Sequence, residues 1–124
     1  MKKIIVLVPI FLFVSAAGCI GGFTDNTNTL VDEQFTVPAN STKNYDAELE
    51  AGEEVRISIN VLKDEYLDFY IINPDGEKII SRSRVRETTI TWIIPFSGTY
   101  RFTYDNSFSV ISAKTVRSTI TVTR

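Results

Sequence analysis

The sequence predicts an all-β protein, an antiparallel β-sandwich of seven to eight strands, and two observations predict it. From Leu30 onward apolar and polar residues alternate with period two, β-branched and aromatic residues recur, and no segment carries a helical stripe. Turn residues punctuate this stretch at intervals of about 8 to 15 residues, close to the spacing of a sandwich. A small barrel is the rival arrangement, because alternation alone does not separate the two.

Gln34 to Val37 and Tyr45 to Leu49 are the first two strands, parted by Pro38-Ala39-Asn40-Ser41. Val55 to Val61 alternates strictly, with aliphatics on one face and Arg56, Ser58 and Asn60 on the other, so one side is buried. Leu67 to Ile72 is more continuously apolar. It closes on Asn73-Pro74-Asp75-Gly76, where Pro pre-sets φ and Gly accepts φ > 0, and Lys78 to Ser81 returns as its hairpin partner. Thr88 to Ile94 aligns Ile90, Trp92 and Ile94. The turn Pro95-Phe96-Ser97-Gly98 leads into Thr99 to Tyr104, which places Tyr100, Phe102 and Tyr104 on one face. The last strand, Thr115 to Thr123, sets Val116, Ile120 and Val122 against Arg117, Thr119 and Thr121. The expected core is Val55, Ile57, Ile59, Leu67, Phe69, Ile71, Ile90, Trp92, Tyr100, Phe102, Val116 and Ile120, enough for a folded unit of about 95 residues without disulfides.

The chain of 124 residues carries 13 Lys+Arg, 15 Asp+Glu, one Cys and no His, and its size suits one domain. Without His there is no Ser-His-Asp or Cys-His pair, no imidazole base and no His-containing zinc site. A lone Cys forms no internal disulfide, and thiolate metal centres need several. A formal charge of −2 gives no electrostatic reason to bind nucleic acid. Neither a cofactor nor a metal is called for.

Met1, Lys2 and Lys3, the apolar run from Ile4 to Val14 and the small residues Ser15 to Gly18 have the layout of a signal peptide, expected at residues 1–18. The run is shorter than the roughly 18 to 20 apolar residues of a membrane-crossing helix, although counting on to Ile20 leaves an uncleaved anchor as the alternative. Cys19 directly follows, and Ser15-Ala16-Ala17-Gly18-Cys19 resembles a lipobox, the processing signal of prokaryotic lipoproteins; Ala16 stands where that family prefers Leu or Val. The resemblance implies cleavage before Cys19 and a lipid on its sulfur, so that the membrane becomes a partner. Cys19-Ile20-Gly21-Gly22 is also similar to the mature start of archaeal lipoproteins. Loss of Lys2 and Lys3 leaves 11 basic against 15 acidic side chains, a net of −4. Residues 19–29, small and polar, read as a tether, with the folded domain at 30–124.

The segment from Thr91 to Thr123 resembles the C-terminal half of a GOLD (Golgi dynamics) domain. The residues that carry the likeness are Gly98, Tyr100, Phe102, Asp105, Asn106, Ser107, Phe108, Ser109 and Lys114. The resemblance implies a β-sandwich that acts as a binding module rather than an enzyme. Glu53 to Ile57, Leu67 to Ile71, the Asn73 to Gly76 turn and Gly98-Thr99-Tyr100 also resemble the jelly-roll modules of secreted prokaryotic peptidases. With the anchor, this describes an extracytoplasmic module at the outer face of the membrane that contacts a protein or lipid partner. A carbohydrate-binding or peptidase-associated module and a structural cell-surface component are the alternatives.

Asp105, Asn106 and Ser107 are expected to cap free backbone groups where a strand meets a loop, or to face a ligand. Lys114 could pair with Asp105 across that loop. Arg82, Arg84 and Arg86 fall at alternate positions, so in a regular strand they share one face and could grip phosphates or carboxylates; otherwise they solvate an edge. Lys63-Asp64-Glu65-Tyr66 and Asp68 gather oxygens that calcium can use, without the spacing of a known loop, so a polar turn is the plainer reading. Asn40-Ser41-Thr42 matches a glycosylation sequon. Exposure of Tyr66, Tyr70 or Tyr104 would favour sugar stacking.

Overall fold

The computed structural model describes residues 27–124. Cys19, the leader expected at 1–18 and the tether up to Asn26 lie outside the described residues. Eight strands follow in order: β1 Thr27–Val37, β2 Thr42–Leu49, β3 Glu54–Val61, β4 Leu67–Ile72, β5 Lys78–Val85, β6 Glu87–Ile93, β7 Gly98–Asp105 and β8 Lys114–Thr123.

They form two four-stranded sheets, ordered β1-β8-β3-β6 and β2-β7-β4-β5, and every pairing is antiparallel. The chain crosses between sheets at nearly every connection; only the β4–β5 hairpin stays within one. Such an order is that of interlocked Greek keys, a jelly roll. Each sheet keeps two open edges among the described residues, so the sandwich holds and the barrel does not.

The sheets meet over a core whose largest fully buried side chains include Tyr100, Tyr104, Phe69, Phe102, Ile57 and Leu67. Eleven of the twelve expected core residues are buried; Trp92 is only half-buried, because it lies on edge strand β6 and packs edge-on against Tyr100. Burying each large aliphatic is worth roughly 1.5 to 3 kcal/mol. Tyr104 carries a polar chain through this core: its hydroxyl donates to Ser118 Oγ at 2.7 Å, and Ser118 Oγ donates to the Ser58 carbonyl at 2.8 Å.

β1 begins at Thr27, three residues before the expected boundary at Leu30. Thr27 to Thr29 are polar because an edge strand exposes both flanks, and a bulge at Leu30 breaks the alternation. β5 runs past Ser81 to Val85 for a similar reason, with two register shifts against β4.

The registers define two ends. Val37 pairs with Lys114, Val61 with Val116 and Thr42 with Asp105, which gathers the β1–β2, β3–β4 and β7–β8 connections at a loop end. Thr27 pairs with Thr123, so both strand termini lie at the opposite, terminal end.

Candidate functional site

The loop end is built around Asn106. The residue is wholly buried, and its Nδ2 approaches the carbonyls of Val37 at 3.2 Å, Pro38 at 3.2 Å and Ser112 at 2.9 Å. Three converging acceptors fix the amide with its nitrogen toward them. The Asn106 backbone adds two more ties to the same turn: its N–H donates to Ser41 O at 2.8 Å, and its carbonyl accepts from Asn40 N at 3.1 Å. Asn106 therefore staples the β7–β8 loop to the β1–β2 turn. Its Oδ1 is buried with no protein partner, a deficit that costs about 1 to 3 kcal/mol unless water fills it.

Asp105 Oδ1 accepts from Ser107 N at 2.8 Å, the local turn bond expected of that pair. Lys114 does not pair with Asp105. Its side chain, buried to all but 6%, ends 2.9 Å from Glu65 Oε1, which arrives from the β3–β4 connection. Burying an ammonium demands such a partner, and two rings assist, with Lys114 Nζ 5.9 Å from the centre of Tyr66 and 5.7 Å from that of Phe108.

Tyr66 and Phe108 stack nearly parallel, centroids 5.6 Å apart. Arg84 lies beside Tyr66, with Nη1 donating to the tyrosine hydroxyl at 3.3 Å. Its backbone N–H donates to Asp68 Oδ1 at 2.9 Å. Glu65 and Asp68 are thereby engaged within the fold, and no group of three or more metal-ligating side chains occurs among the described residues.

The arginines do not form a row. Phe69 pairs with Arg82 but Leu67 pairs with Val85, so β5 holds an extra residue, and Arg84 takes φ 55°. The bulge breaks the alternation: Arg82 shares a register face with Val85, and Arg86, the residue after Val85, falls on the other. All three are exposed, on or beside an edge strand.

Gly98 and Tyr100 act at the terminal end. A Cβ on Gly98 would stand 2.5 Å from Pro74 Cγ and 2.8 Å from Pro74 Cβ, and φ is 151°, so only glycine admits this contact. Tyr100 is buried and donates to Phe96 O. Asn40 is exposed at φ 59° in the β1–β2 turn. Tyr104 is buried in the core, Tyr66 is covered by Phe108, and Tyr70 lies under Lys78, whose Nζ is 4.1 Å from the ring centre. The exposed aromatic display of a sugar-binding face is not assembled by these three.

At the tip of the β7–β8 loop the sequence reading named Phe108 for its family likeness alone and did not single out Val110 or Ile111. Phe108 is 45% exposed, Val110 80% and Ile111 90%, three apolar side chains within four residues. The signal was present as apolar residues alternating with serines where strand pairing had to stop. Below them Ser109 Oγ donates to Ser112 O at 3.1 Å and accepts from Ser112 N at 3.2 Å, which closes the loop on itself.

Burial holds the hydroxyls of Tyr104 and Tyr100 above the usual tyrosine range. A shallow hollow on the outer face of the first sheet is lined by Asn60, Thr88, Arg117 and one carboxylate, Glu87.

Fold and site together define a jelly-roll β-sandwich whose specialised chemistry sits in loops at one end. The chain belongs to the emp24/gp25L/p24 (GOLD) family, which matches residues 33–124. It is 29% identical over 84 residues to transmembrane emp24 domain-containing protein 3 of Mus musculus and, at the same identity, to that of Rattus norvegicus. The match takes in 66% of this chain and 38% of each relative, so the chain covers well under half of their length. Among solved structures, PliG of Aeromonas hydrophila, a periplasmic inhibitor of g-type lysozyme, is similar in fold, with a TM-score of 0.50 and 16% identity over 81% of this chain and 86% of that one.

Proposed function

We propose that this protein is a non-enzymatic binding module, exported and held by a lipid on Cys19 at the outer face of the cell membrane, which contacts a protein or lipid partner through its loop end. The observation that carries the reading is the β7–β8 tip: Val110 and Ile111 stand in solvent on a loop that buried Asn106 and the Lys114–Glu65 pair hold in place. A fold does not invest buried polar groups in an apolar protrusion that only weakens solubility.

Membership of the GOLD family supports a binding role, and the name of the mouse and rat relatives, transmembrane emp24 domain-containing protein 3, supports association with a membrane. No helix among the described residues is long and apolar enough to cross one; in this reading the lipid on Cys19 makes the attachment.

The anchor is tested by expressing the chain in its host and comparing wild type with Cys19→Ala in detergent phase separation. Wild type is expected in the detergent phase and the variant in the aqueous phase. A variant that stays wholly with detergent would replace the lipid by a retained apolar helix.

A further inference from the structure

We propose that the Asn40 side chain carries an N-linked glycan, attached during export before β7 docks against β2. The inference rests on the export of the chain proposed above, and on neither the lipid nor the role of the tip.

Asn40-Ser41-Thr42 is the one place in the sequence where an asparagine stands two residues before a serine or threonine with no proline between them. The fold leaves both groups that the reaction needs unspent. Asn40 and Thr42 are exposed, and neither side chain takes part in the hydrogen bonds formed among the described residues around them; Ser41 Oγ, between the two, donates to Ala39 O at 3.2 Å. Asn106 is the contrast, its amide nitrogen buried against three carbonyls. A φ of 59° explains why asparagine suits position 40, since it tolerates the left-handed region. It does not explain an exposed hydroxyl two residues later.

The donor is a glycan carried on a polyprenyl phosphate or diphosphate. Asn40 Nδ2 bonds to the anomeric carbon, the bond from that carbon to the phosphate oxygen breaks, the phosphate leaves with the electron pair, and one amide proton passes to solvent. An amide nitrogen is a poor nucleophile because its lone pair is delocalised into the carbonyl. The transferase therefore has to align it, and the Thr42 hydroxyl is the handle that the acceptor triplet supplies.

Timing follows from the staple. In the folded chain the Asn40 N–H donates to Asn106 O at 3.1 Å, Ser41 O accepts from Asn106 N at 2.8 Å, and Thr42 pairs with Asp105. A transferase holding Asn40 and Thr42 together would have to peel this turn from β7. During export it need not, because β2 is an edge strand whose sole sheet neighbour is β7. At about 5 to 20 residues per second, the roughly 60 residues from Thr42 to Asp105 leave about 3 to 12 s in which the triplet is unpaired. Once attached, the glycan emerges from the β1–β2 turn at the loop end and displaces no hydrogen bond of the Asn40 side chain.

The test is the intact mass and peptide map of the full chain purified from its host. Wild type and Thr42→Ser should carry a glycan on Asn40; Asn40→Gln and Thr42→Ala should lose it, the second although Asn40 itself is intact. An exported wild type whose Asn40 peptide is wholly unmodified overturns the proposal, and so does a glycan that survives Thr42→Ala. Export is read separately, from the loss of residues 1–18; if it fails, the same chain behind a proven leader of that host decides the site. For timing, unmodified chain made in a strain without the transferase is added, folded, to host membranes that hold the lipid-linked glycan, beside a linear peptide of residues 37–45. The peptide should be modified at least tenfold faster. Equal rates overturn the order of attachment and folding.

Discussion

Replacing Asn106 by Ala removes one amide nitrogen and with it the donor shared by the carbonyls of Val37, Pro38 and Ser112. Each such bond contributes about 0.5 to 1.5 kcal/mol net, and a buried acceptor left alone costs about 1 to 3 kcal/mol. Two amide hydrogens serve three acceptors, so at most two full bonds are lost. The orphaned Oδ1 disappears in the same change, which returns part of the cost. The expected net loss is therefore about 2 to 4 kcal/mol, which for a domain near 100 residues lowers the melting temperature by roughly 10 to 25 °C. Asn106→Asp sharpens the test. Its carboxylate would face three carbonyls, and burial beside them raises its pKa above the ordinary ~3.9 of aspartate. A group with a raised folded pKa stabilises its protonated form. This variant should therefore be least stable at neutral pH and regain stability as pH falls through that raised value. Urea unfolding followed by tryptophan fluorescence and far-UV dichroism from pH 4 to 8 measures both effects. A loss under 1 kcal/mol for Ala, or an Asp variant indifferent to pH, would show that Asn106 does not hold the two loops together.

Other substitutions read other contacts. Gly98→Ala forces a methyl into Pro74 at positive φ and should cost about 2 kcal/mol or more; a Pro74→Ala second change should recover part of it in a double-mutant cycle monitored by thermal melting. Glu65→Ala should destabilise by about 2 to 3 kcal/mol, because it strands a buried ammonium, whereas Lys114→Met should fall within about 1 kcal/mol of wild type, because the exposed Glu65 rehydrates. Unfolding curves that rank these two the other way would contradict the ion-pair account. Stability should hold up to about pH 10, the unfolded tyrosine value, and decline above it, since Tyr100 and Tyr104 are raised by burial and bind protons more tightly when folded. Chemical denaturation at pH 9, 10 and 11 reads that slope, which Tyr104→Phe should flatten.

β3, β4 and most of the core were legible in the sequence because those strands bury one face, so the pleat writes itself as alternation. The beginning of β1 and the end of β5 were not. Both are edge strands with bulges, and an extra residue inverts the pattern just where it must be read. The same bulge dispersed Arg82, Arg84 and Arg86, whose common face presupposed a regular strand. Asp105 and Ser107 behaved as local chemistry predicts because their bond spans two residues. Lys114 found Glu65, 49 positions away, and Asn106 found the β1–β2 turn, 68 and 69 positions away. Such partners depend on topology, which a single sequence does not display. Val110 and Ile111 were overlooked because two apolar residues between two expected strands carry no local sign that the fold leaves them in solvent.

The proposal that the tip serves a partner rather than the fold is tested most directly by the double change Val110→Ser with Ile111→Ser in the full-length chain. Because both side chains are exposed, the variant should melt within about 0.5 kcal/mol of wild type. Native-gel migration of mild detergent extracts from host membranes then decides: wild type should run as a complex larger than the monomer, and the variant as the free chain. A variant that co-migrates with wild type in the larger complex would contradict the role assigned to the tip.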